Sequence, residues 1–175
     1  MNANSGDATV TIRGYQPPDL EACRGLWAEL TEWHRSVYQS PSLGGPDPGR
    51  HFDRHLERVG PRHLWVAEVG GQVVGLAGLI VEEEEAELEP LIVSPANRGR
   101  GIGRRLVQAV FEAARAKGMG QISVRPVARN DRAIRYFHSL GFDVLGRVEM
   151  FTDLAPPERQ IWKPGEQLAG RGFRV

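Results

Sequence analysis

The chain has 175 residues and a formal net charge of zero, because 22 lysines and arginines balance 22 aspartates and glutamates. This balance argues against a generally basic nucleic-acid-binding protein and against a polyacidic tail. Hydrophobic residues make up 41% of the chain and charged residues 25%, which at this length predicts one globular domain. The single cysteine, Cys23, excludes an internal disulfide and any multi-cysteine zinc site.

The apolar stretches of the chain also bear on its location. Residues 1–7 are polar and lack the apolar segment of a signal peptide. The longest apolar stretch, around residues 73–81, is about half as long as a membrane span requires. We therefore expect a soluble, cytoplasmic protein with no membrane partner. The sequence leaves open whether the protein is a monomer or a homodimer.

Hydrophobic periodicity predicts a mixed α/β fold. Strands are recognised by alternating apolar residues and helices by apolar residues three and four positions apart, with glycine or proline between elements. The predicted elements are strand 9–15, helix 20–37, loop 40–49, a short polar helix 50–59, strands 63–69, 72–81 and 86–94, helix 101–117, short strand 121–124, helix 130–140 and strand 142–154. This order, β-α-α-β-β-β-α-β-α-β, combines antiparallel hairpins with later crossover helices.

The predicted elements divide the chain into three parts. Residues 1–8 are expected to be flexible and residues 9–154 to form the domain. Residues 155–175 are expected to pack on that domain, because they still contain Ile161, Trp162, Leu168 and Phe173.

The turn after strand 86–94 carries the strongest functional signal. Its residues are Arg98, Gly99, Arg100, Gly101, Ile102, Gly103 and Arg104. Glycines permit positive φ and a close approach of backbone to ligand, and the N–H groups that follow lie at the positive end of a helix dipole. The turn therefore suits a pyrophosphate, although it matches neither the Rossmann nor the P-loop motif. The alternative is a glycine-rich turn with solvated arginines.

Two motifs resemble those of the GNAT-type N-acetyltransferase superfamily. The first, [QR]-x-x-G-x-[GA], is matched at Arg98, Gly101 and Gly103, and resembles the family's acetyl-CoA signature. The second, N-x-x-A-x-x-[FL]-Y-x-x-x-G-F, resembles residues 130–142. The resemblance covers roughly residues 9–154. It implies a GNAT-like fold with a bulged central strand, acetyl-CoA or a close acyl-CoA as cosubstrate, an amine acceptor, and no metal.

The resemblance also implies where the cosubstrate binds. Pro90 lies within a predicted strand, and proline cannot donate to a sheet ladder, so it marks an edge or a bulge. In the family this strand splays from the next one, which implies that the pantetheine arm pairs with the backbone of residues 91–93. The implied cosubstrate-binding residues are Leu91, Ile92, Val93, Arg98, Gly99, Arg100, Gly101, Ile102, Gly103, Arg104, Asn130 and Phe137. Asn130 is also expected to cap its helix.

Two glutamates are the candidate general bases. Acetyl transfer needs a neutral amine, and a carboxylate can take the amine's proton directly or through water. Glu87 and Glu89 share one face of a strand, and Glu87 precedes Arg98 by eleven residues, as the base does in histone-type family members. The alternative is a solvated acidic surface, since six of the eight residues 82–89 are glutamate. A strand N–H near Val93 is expected to hold the oxyanion.

The candidate general acid is Tyr136. The family's usual tyrosine corresponds to Phe137 here, one residue later. Since one residue turns a helix side chain by about 100°, Tyr136 is predicted either to donate a proton or to pack as an aromatic residue. Water is the other proton source for the leaving thiolate.

For the remaining candidate residues, a purely structural role is predicted or is left open as an alternative. Cys23 is predicted to pack on the apolar face of its helix. His51 and His55 lack the glutamate of a zinc motif and are predicted to be surface residues. Trp33, His34 and Tyr38 are expected either to line the acceptor site, as that region does in the family, or to pack.

The leading hypothesis is an acetyl-CoA-dependent N-acetyltransferase whose primary amine acceptor attacks the thioester directly. A cationic, lysine-like acceptor is favoured if the acidic run flanks the acceptor groove. The second hypothesis is an acyl-CoA-binding domain with little or no catalysis, consistent with Phe137 at the tyrosine position. The third is an α/β domain without a CoA site. A nucleic-acid partner is not expected, because no basic stripe with interleaved aromatic residues occurs.

Overall fold

The computed structural model describes residues 9–83, 85–156 and 162–175. Within them the elements are β1 (Val10–Gly14), α1 (Leu20–Tyr38), α2 (His51–Val59), β2 (Leu64–Val69), β3 (Gln72–Glu82), β4 (Glu85–Val93), α3 (Ile102–Ala116), α4 (Asp131–His138), β5 (Pro164–Leu168) and β6 (Arg171–Arg174). From β1 to α4, each element begins and ends within one or two residues of its predicted bounds. No helix in these ranges has both the length and the apolar character needed to cross a membrane.

Strands β1 to β4 form one antiparallel sheet in chain order. Helix α3 packs on one face, where Leu106 and Val110 share an apolar cluster with the sheet residues Leu79 and Leu88. Helices α1 and α2 pack on the other face, in a second apolar cluster. Cys23 is fully buried in that second cluster, as predicted, and burial raises the pKa of its thiol to about 12. The mixed α/β fold class is confirmed.

Strand β4 is bulged at Pro90, as the sequence predicted. The register of β3 against β4 shifts between Ala77 and Leu79, so that Gly78 alone lies opposite Glu89 and Pro90. A β-carbon at Gly78 would lie 2.3 Å from the Glu89 carbonyl oxygen, closer than real contacts allow. The absence of a side chain at this position therefore lets the bulge form.

The predicted strand 142–154 is wrong. These residues form no strand, and after the half-buried Phe142 their apolar side chains are exposed, with Val144 86% and Leu154 90% accessible. An apolar run becomes a strand only where a neighbouring strand pairs with it and a core covers it. In the described part of the chain, no strand pairs with this segment.

The predicted strand 121–124 is reduced to one parallel bridge, between Ser123 and Glu87. Pro126 follows shortly after and has no N–H with which to extend a ladder. The last connection of the predicted order, a strand after α4, is replaced by irregular chain.

The end of the chain forms an unpredicted hairpin, in which β5 and β6 pair and both are exposed. The Trp162 indole donates to the Asp153 carboxylate, and its ring lies 5.0 Å from that of Phe151. Leu168 and Phe173, predicted to pack on the domain, are exposed. Ile161 and residues 1–8 lie outside the described residues, so the division of the chain into three parts stays a prediction.

Candidate active site

The outer edge of β4 presents backbone groups at Leu91 and Val93. Along an antiparallel ladder, residue pairs that hydrogen-bond to each other alternate with pairs that do not, and residues of the second kind point their N–H and C=O groups away from the partner strand. The Ser94 N–H donates to the Val74 carbonyl across 2.9 Å, so Ser94 faces β3, and Val93 and Leu91 face away from it. The backbone of Ile92 faces β3, and its side chain is buried in the core. Of the three residues implied for pantetheine pairing, two therefore point their backbone outward.

This edge is open because the next segment pairs only with the beginning of β4. The Ser123 N–H donates to the Ala86 carbonyl and the Leu88 N–H donates to the Ser123 carbonyl, each across 2.9 Å. Among the described residues, no other backbone hydrogen bond joins β4 to the segment between α3 and α4. A gap therefore opens beside β4 from the bulge to its end.

The turn between β4 and α3 lies at the end of this gap. Gly99 and Gly101 have φ of 79° and 74°, and no atom lies within 4 Å of the position that a β-carbon would take at either residue. The Arg98 Nε donates to the Val93 carbonyl across 2.9 Å, which ties the turn to the strand. The first N–H groups of α3 lack acceptors within the helix and lie at its positive end. This exposed, donor-rich backbone fits the pyrophosphate of a CoA molecule.

Tyr136 lies against this turn. A β-carbon at Gly103 would stand 2.6 Å from the Tyr136 hydroxyl oxygen, so the phenol fills the space beside the first turn of α3. Burial raises the pKa of Tyr136, and the nearby charge of Arg104 partly opposes this increase.

Neighbouring residues hold α4 against the core. Phe137, at the family's tyrosine position, packs against Phe142 with ring centroids 5.6 Å apart. The Asn130 side chain accepts a hydrogen bond from the Ala133 N–H across 3.0 Å, which confirms its predicted capping role.

Glu87 is a buried carboxylate on β4, 7% exposed. Its Oε2 lies 3.1 Å from Nη1 of Arg125, in the segment after Ser123. Burial raises the pKa of Glu87, the charge of Arg125 lowers it, Glu89 raises it, and smaller opposing effects come from Arg58 and Glu82. Because the net shift is upward, Glu87 is a stronger base than an exposed glutamate.

The acidic run around Glu87 is divided by burial. Glu82 and Glu85 are exposed and pair with Arg58 and Arg147. These two fit the alternative of a solvated acidic surface, whereas Glu87 does not. Glu89 is half-buried at the bulge.

The surface prediction is wrong for His55, which is 7% exposed. Its ring lies 5.0 Å from that of Trp27, and its Nε2 has no hydrogen-bond partner within the described ranges. Burial lowers the pKa of His55 to about 4, Arg58 lowers it further, and the Glu89 backbone opposes both. The apolar face of the short helix α2 turns inward, and His55 shares that face. His51 is half-buried and contacts the Gly44 carbonyl across 2.9 Å.

No group of three or more metal-ligating side chains occurs in the ranges that the structure describes.

An aromatic group lies near the C-terminal end of α1. The rings of Trp33 and His34 are 5.2 Å apart, and those of His34 and Tyr38 are 6.3 Å apart. The Arg129 guanidinium carbon lies 5.5 Å from the centroid of the Tyr38 ring. Since Arg125 contacts Glu87, the short segment from Arg125 to Arg129 links the buried carboxylate to this aromatic group.

Sequence reasoning missed Arg125, Gly78 and the burial of His55. A glycine inside a strand signals a bulge or close backbone approach, so Gly78 could have been found from its strand position. Arg125 belongs to no motif, and only the folded chain brings it to Glu87.

Comparison with known proteins identifies the family. The model of the acetyltransferase (GNAT) family matches residues 27–142. This chain belongs to the GNAT acetyltransferase family. The N-alpha-acetyltransferase RimI of Mycobacterium tuberculosis is 32% identical over 142 residues, covering 78% of this chain and 80% of that protein. The protein is therefore an acetyl-CoA-dependent N-acetyltransferase, as predicted, and a CoA-binding domain without catalysis is not favoured.

Two solved structures share the fold. The PaiA N-acetyltransferase of Thermoplasma acidophilum in complex with coenzyme A is similar with a TM-score of 0.65 and 16% identity, covering 75% of this chain and 87% of that one. AAC(6')-Iy in complex with a bisubstrate analogue is similar with a TM-score of 0.61 and 22% identity, covering 85% of this chain and all of that one (100%). Coenzyme A is bound in the first of these structures and a bisubstrate analogue containing CoA in the second.

Proposed function

We propose that this acetyltransferase acetylates a cationic primary amine, with Glu87 as the general base. The observation that carries the proposal is the burial of one glutamate of the acidic run on β4. The same strand forms the open edge and leads into the glycine-rich turn. Base, thioester site and pyrophosphate site then follow one another along a single segment of chain.

The direction of β4 supports a position for each part of acetyl-CoA. With the pyrophosphate at residues 98–104, the pantetheine arm runs back along the edge, past Val93 first and then Leu91. Leu91 is four residues from Glu87 and Val93 six, at about 3.3 Å per residue. Because the amine must reach both Glu87 and the thioester, the thioester is placed at Leu91, the nearer of the two residues. The Leu91 N–H is then a better donor to the oxyanion than the Val93 N–H, and it lies near Val93, where the sequence predicted the donor.

Glu87 and the Leu91 N–H then have separate roles in the reaction. Glu87 takes a proton from the ammonium group, directly or through one water, and so frees the lone pair that attacks the thioester carbonyl. The new C–N bond forms, the Leu91 N–H stabilises the negative oxygen, and the C–S bond breaks. The attacking nitrogen gives up its second proton to water as the amide forms, and the leaving thiolate takes a proton from water, because Tyr136 lies at the other end of the site, against α3.

The acceptor class follows from charge and from the aromatic group. Glu87 and Glu89 place negative charge on the face of β4 that packs toward α1 and α2, which favours a cationic amine. Trp33, His34 and Tyr38 supply flat apolar surfaces near the end of α1. The name of the mycobacterial relative, an N-alpha-acetyltransferase, supports an α-amine, and that of AAC(6')-Iy, an aminoglycoside N-acetyltransferase, supports an aminoglycoside. The cytoplasmic location and any homodimer stay predictions from the sequence.

Release of CoA thiol, measured against a panel of peptide α-amines, lysine-like amines and aminoglycosides, tests the proposal. We expect turnover with at least one class. Glu87→Gln should lower kcat by about 10²–10⁴-fold, the usual range for losing a general base, while leaving the Kd for acetyl-CoA unchanged. Glu85→Gln is the matched control, since that side chain is exposed and paired with Arg147. Full activity of Glu87→Gln, or no turnover of any amine, would contradict the proposal.

A further inference from the structure

The contact between Tyr136 and Gly103 joins α4 to the turn that fits a pyrophosphate. A β-carbon at Gly103 would lie 2.6 Å from the Tyr136 hydroxyl oxygen and 3.3 Å from its ring carbon Cζ. The hydroxyl end of the ring, rather than its edge, therefore occupies the space above Gly103. Only glycine at this position lets the phenol approach the first turn of α3 so closely.

Other contacts hold α4, the helix that carries the phenol, in this position. The Ser139 hydroxyl donates to the Tyr136 carbonyl across 2.7 Å, and Nη2 of Arg104 donates to the Ser139 carbonyl across 3.5 Å. Phe137 packs into the core beside Phe142. The orientation of α4 is thus set on both sides, and it directs Tyr136 toward the N-terminal turn of α3.

The phenol is suited to donate a hydrogen bond at this place. Burial raises the pKa of Tyr136, so the hydroxyl keeps its proton at neutral pH. Next to it lie the first N–H groups of α3 and the charge of Arg104, both of which attract a phosphate oxygen. A neutral O–H donor beside these groups adds one more hydrogen bond to an anion.

We infer that Tyr136 binds the cosubstrate, donating its hydroxyl hydrogen to a phosphate oxygen of acetyl-CoA held at the start of α3, and does not protonate the leaving thiolate. This inference rests on the proposed placement of the pyrophosphate at residues 98–104. It assigns the tyrosine of α4 a role at the opposite end of the cosubstrate from the thioester.

Tyr136→Phe removes only the hydroxyl and is compared with Tyr15→Phe, a half-buried tyrosine that packs on Phe52 on the other face of the sheet. A hydrogen bond to a charged group is worth about a tenfold change in affinity or more. We therefore expect Tyr136→Phe to raise the Kd for CoA and the KM for acetyl-CoA by about tenfold, with kcat and the pH profile unchanged. Tyr15→Phe should match the wild type in all of these.

S-acetylpantetheine, which carries the thioester but no phosphate, locates the effect. If Tyr136 binds phosphate, wild type and Tyr136→Phe should have equal kcat/KM with this donor. If Tyr136 were the general acid, kcat would fall with both donors and the basic limb of the pH profile would change, which overturns the inference. An unchanged Kd for CoA overturns it as well.

The two proposals fail in different ways. A wild-type protein that binds CoA but turns over no amine contradicts the proposed function, while the Kd comparison still decides the role of Tyr136. A wild-type protein that does not bind CoA overturns both.

Discussion

Replacing Gly78 with alanine tests whether the β4 bulge depends on a missing side chain. The new β-carbon would stand 2.3 Å from the Glu89 carbonyl oxygen, 3.0 Å from Cδ2 of Leu64 and 3.1 Å from Cδ of Pro90. Ordinary contacts begin at 3.4 Å, so the shortest of these is 3.4 − 2.3 = 1.1 Å too close. The blocked atom belongs to the backbone and cannot rotate away, so the bulge itself must shift.

The size of the effect follows from two opposing contributions. Overpacking of this kind costs up to about 3 kcal/mol, and the lower chain entropy of unfolded alanine relative to glycine offsets up to about 1 kcal/mol. The expected net loss in the free energy of unfolding is about 2 kcal/mol. For a domain of this size that corresponds to a fall in Tm of about 4–8 °C.

Thermal unfolding followed by circular dichroism measures the loss, and the KM for acetyl-CoA measures the effect on the edge that the bulge opens. Gly14→Ala is the matched control, because nothing lies within 4 Å of a β-carbon there. We expect Gly78→Ala to lower Tm and raise KM. Gly14→Ala should leave KM unchanged and should not lower Tm, because only the favourable entropy contribution applies there. Equal Tm and KM for the two variants would refute the argument that the bulge requires glycine.

Two further predictions concern pH. Glu87 acts as a base only when it is ionised, so kcat/KM should fall as pH decreases through its raised pKa. Arg125→Gln removes a charge that lowers this pKa, so the acidic limb of the pH profile of kcat/KM should move to higher pH. An acidic limb that stays in place would count against Glu87 as the base. Because the pKa of His55 is lowered to about 4 from 6.5, the unfolded chain binds more protons between these values. Stability should thus be full above pH 6.5 and be lost as pH falls toward 4, whereas in His55→Phe, followed by urea unfolding, this loss should be smaller. An identical pH dependence in both proteins would show that the buried imidazole is not responsible.

Much of the fold was predictable because its signals are local. The apolar spacing of α1 and α3, the two glycines between β2 and β3, and the asparagine before α4 each specify a structure within a few neighbouring residues. The bulge at Pro90 was predictable for the same reason, since proline lacks the N–H that a ladder requires. The segment 142–154 was not, because an apolar alternation specifies a strand only when a distant partner pairs with it.

The features of the candidate site also differ in whether they depend on local sequence or on distant residues. The sequence by itself was enough to predict the glycine-rich turn at residues 98–104, the acidic strand before it and the family. Glycine conformation and motif spacing depend only on residues that are close together in the chain. Only the tertiary structure decided that Glu87 is the buried glutamate of the acidic run, that Arg125 pairs with it, and that Tyr136 faces Gly103. Burial and charge pairing depend on residues that are far apart in the chain, and the folded backbone alone brings them together.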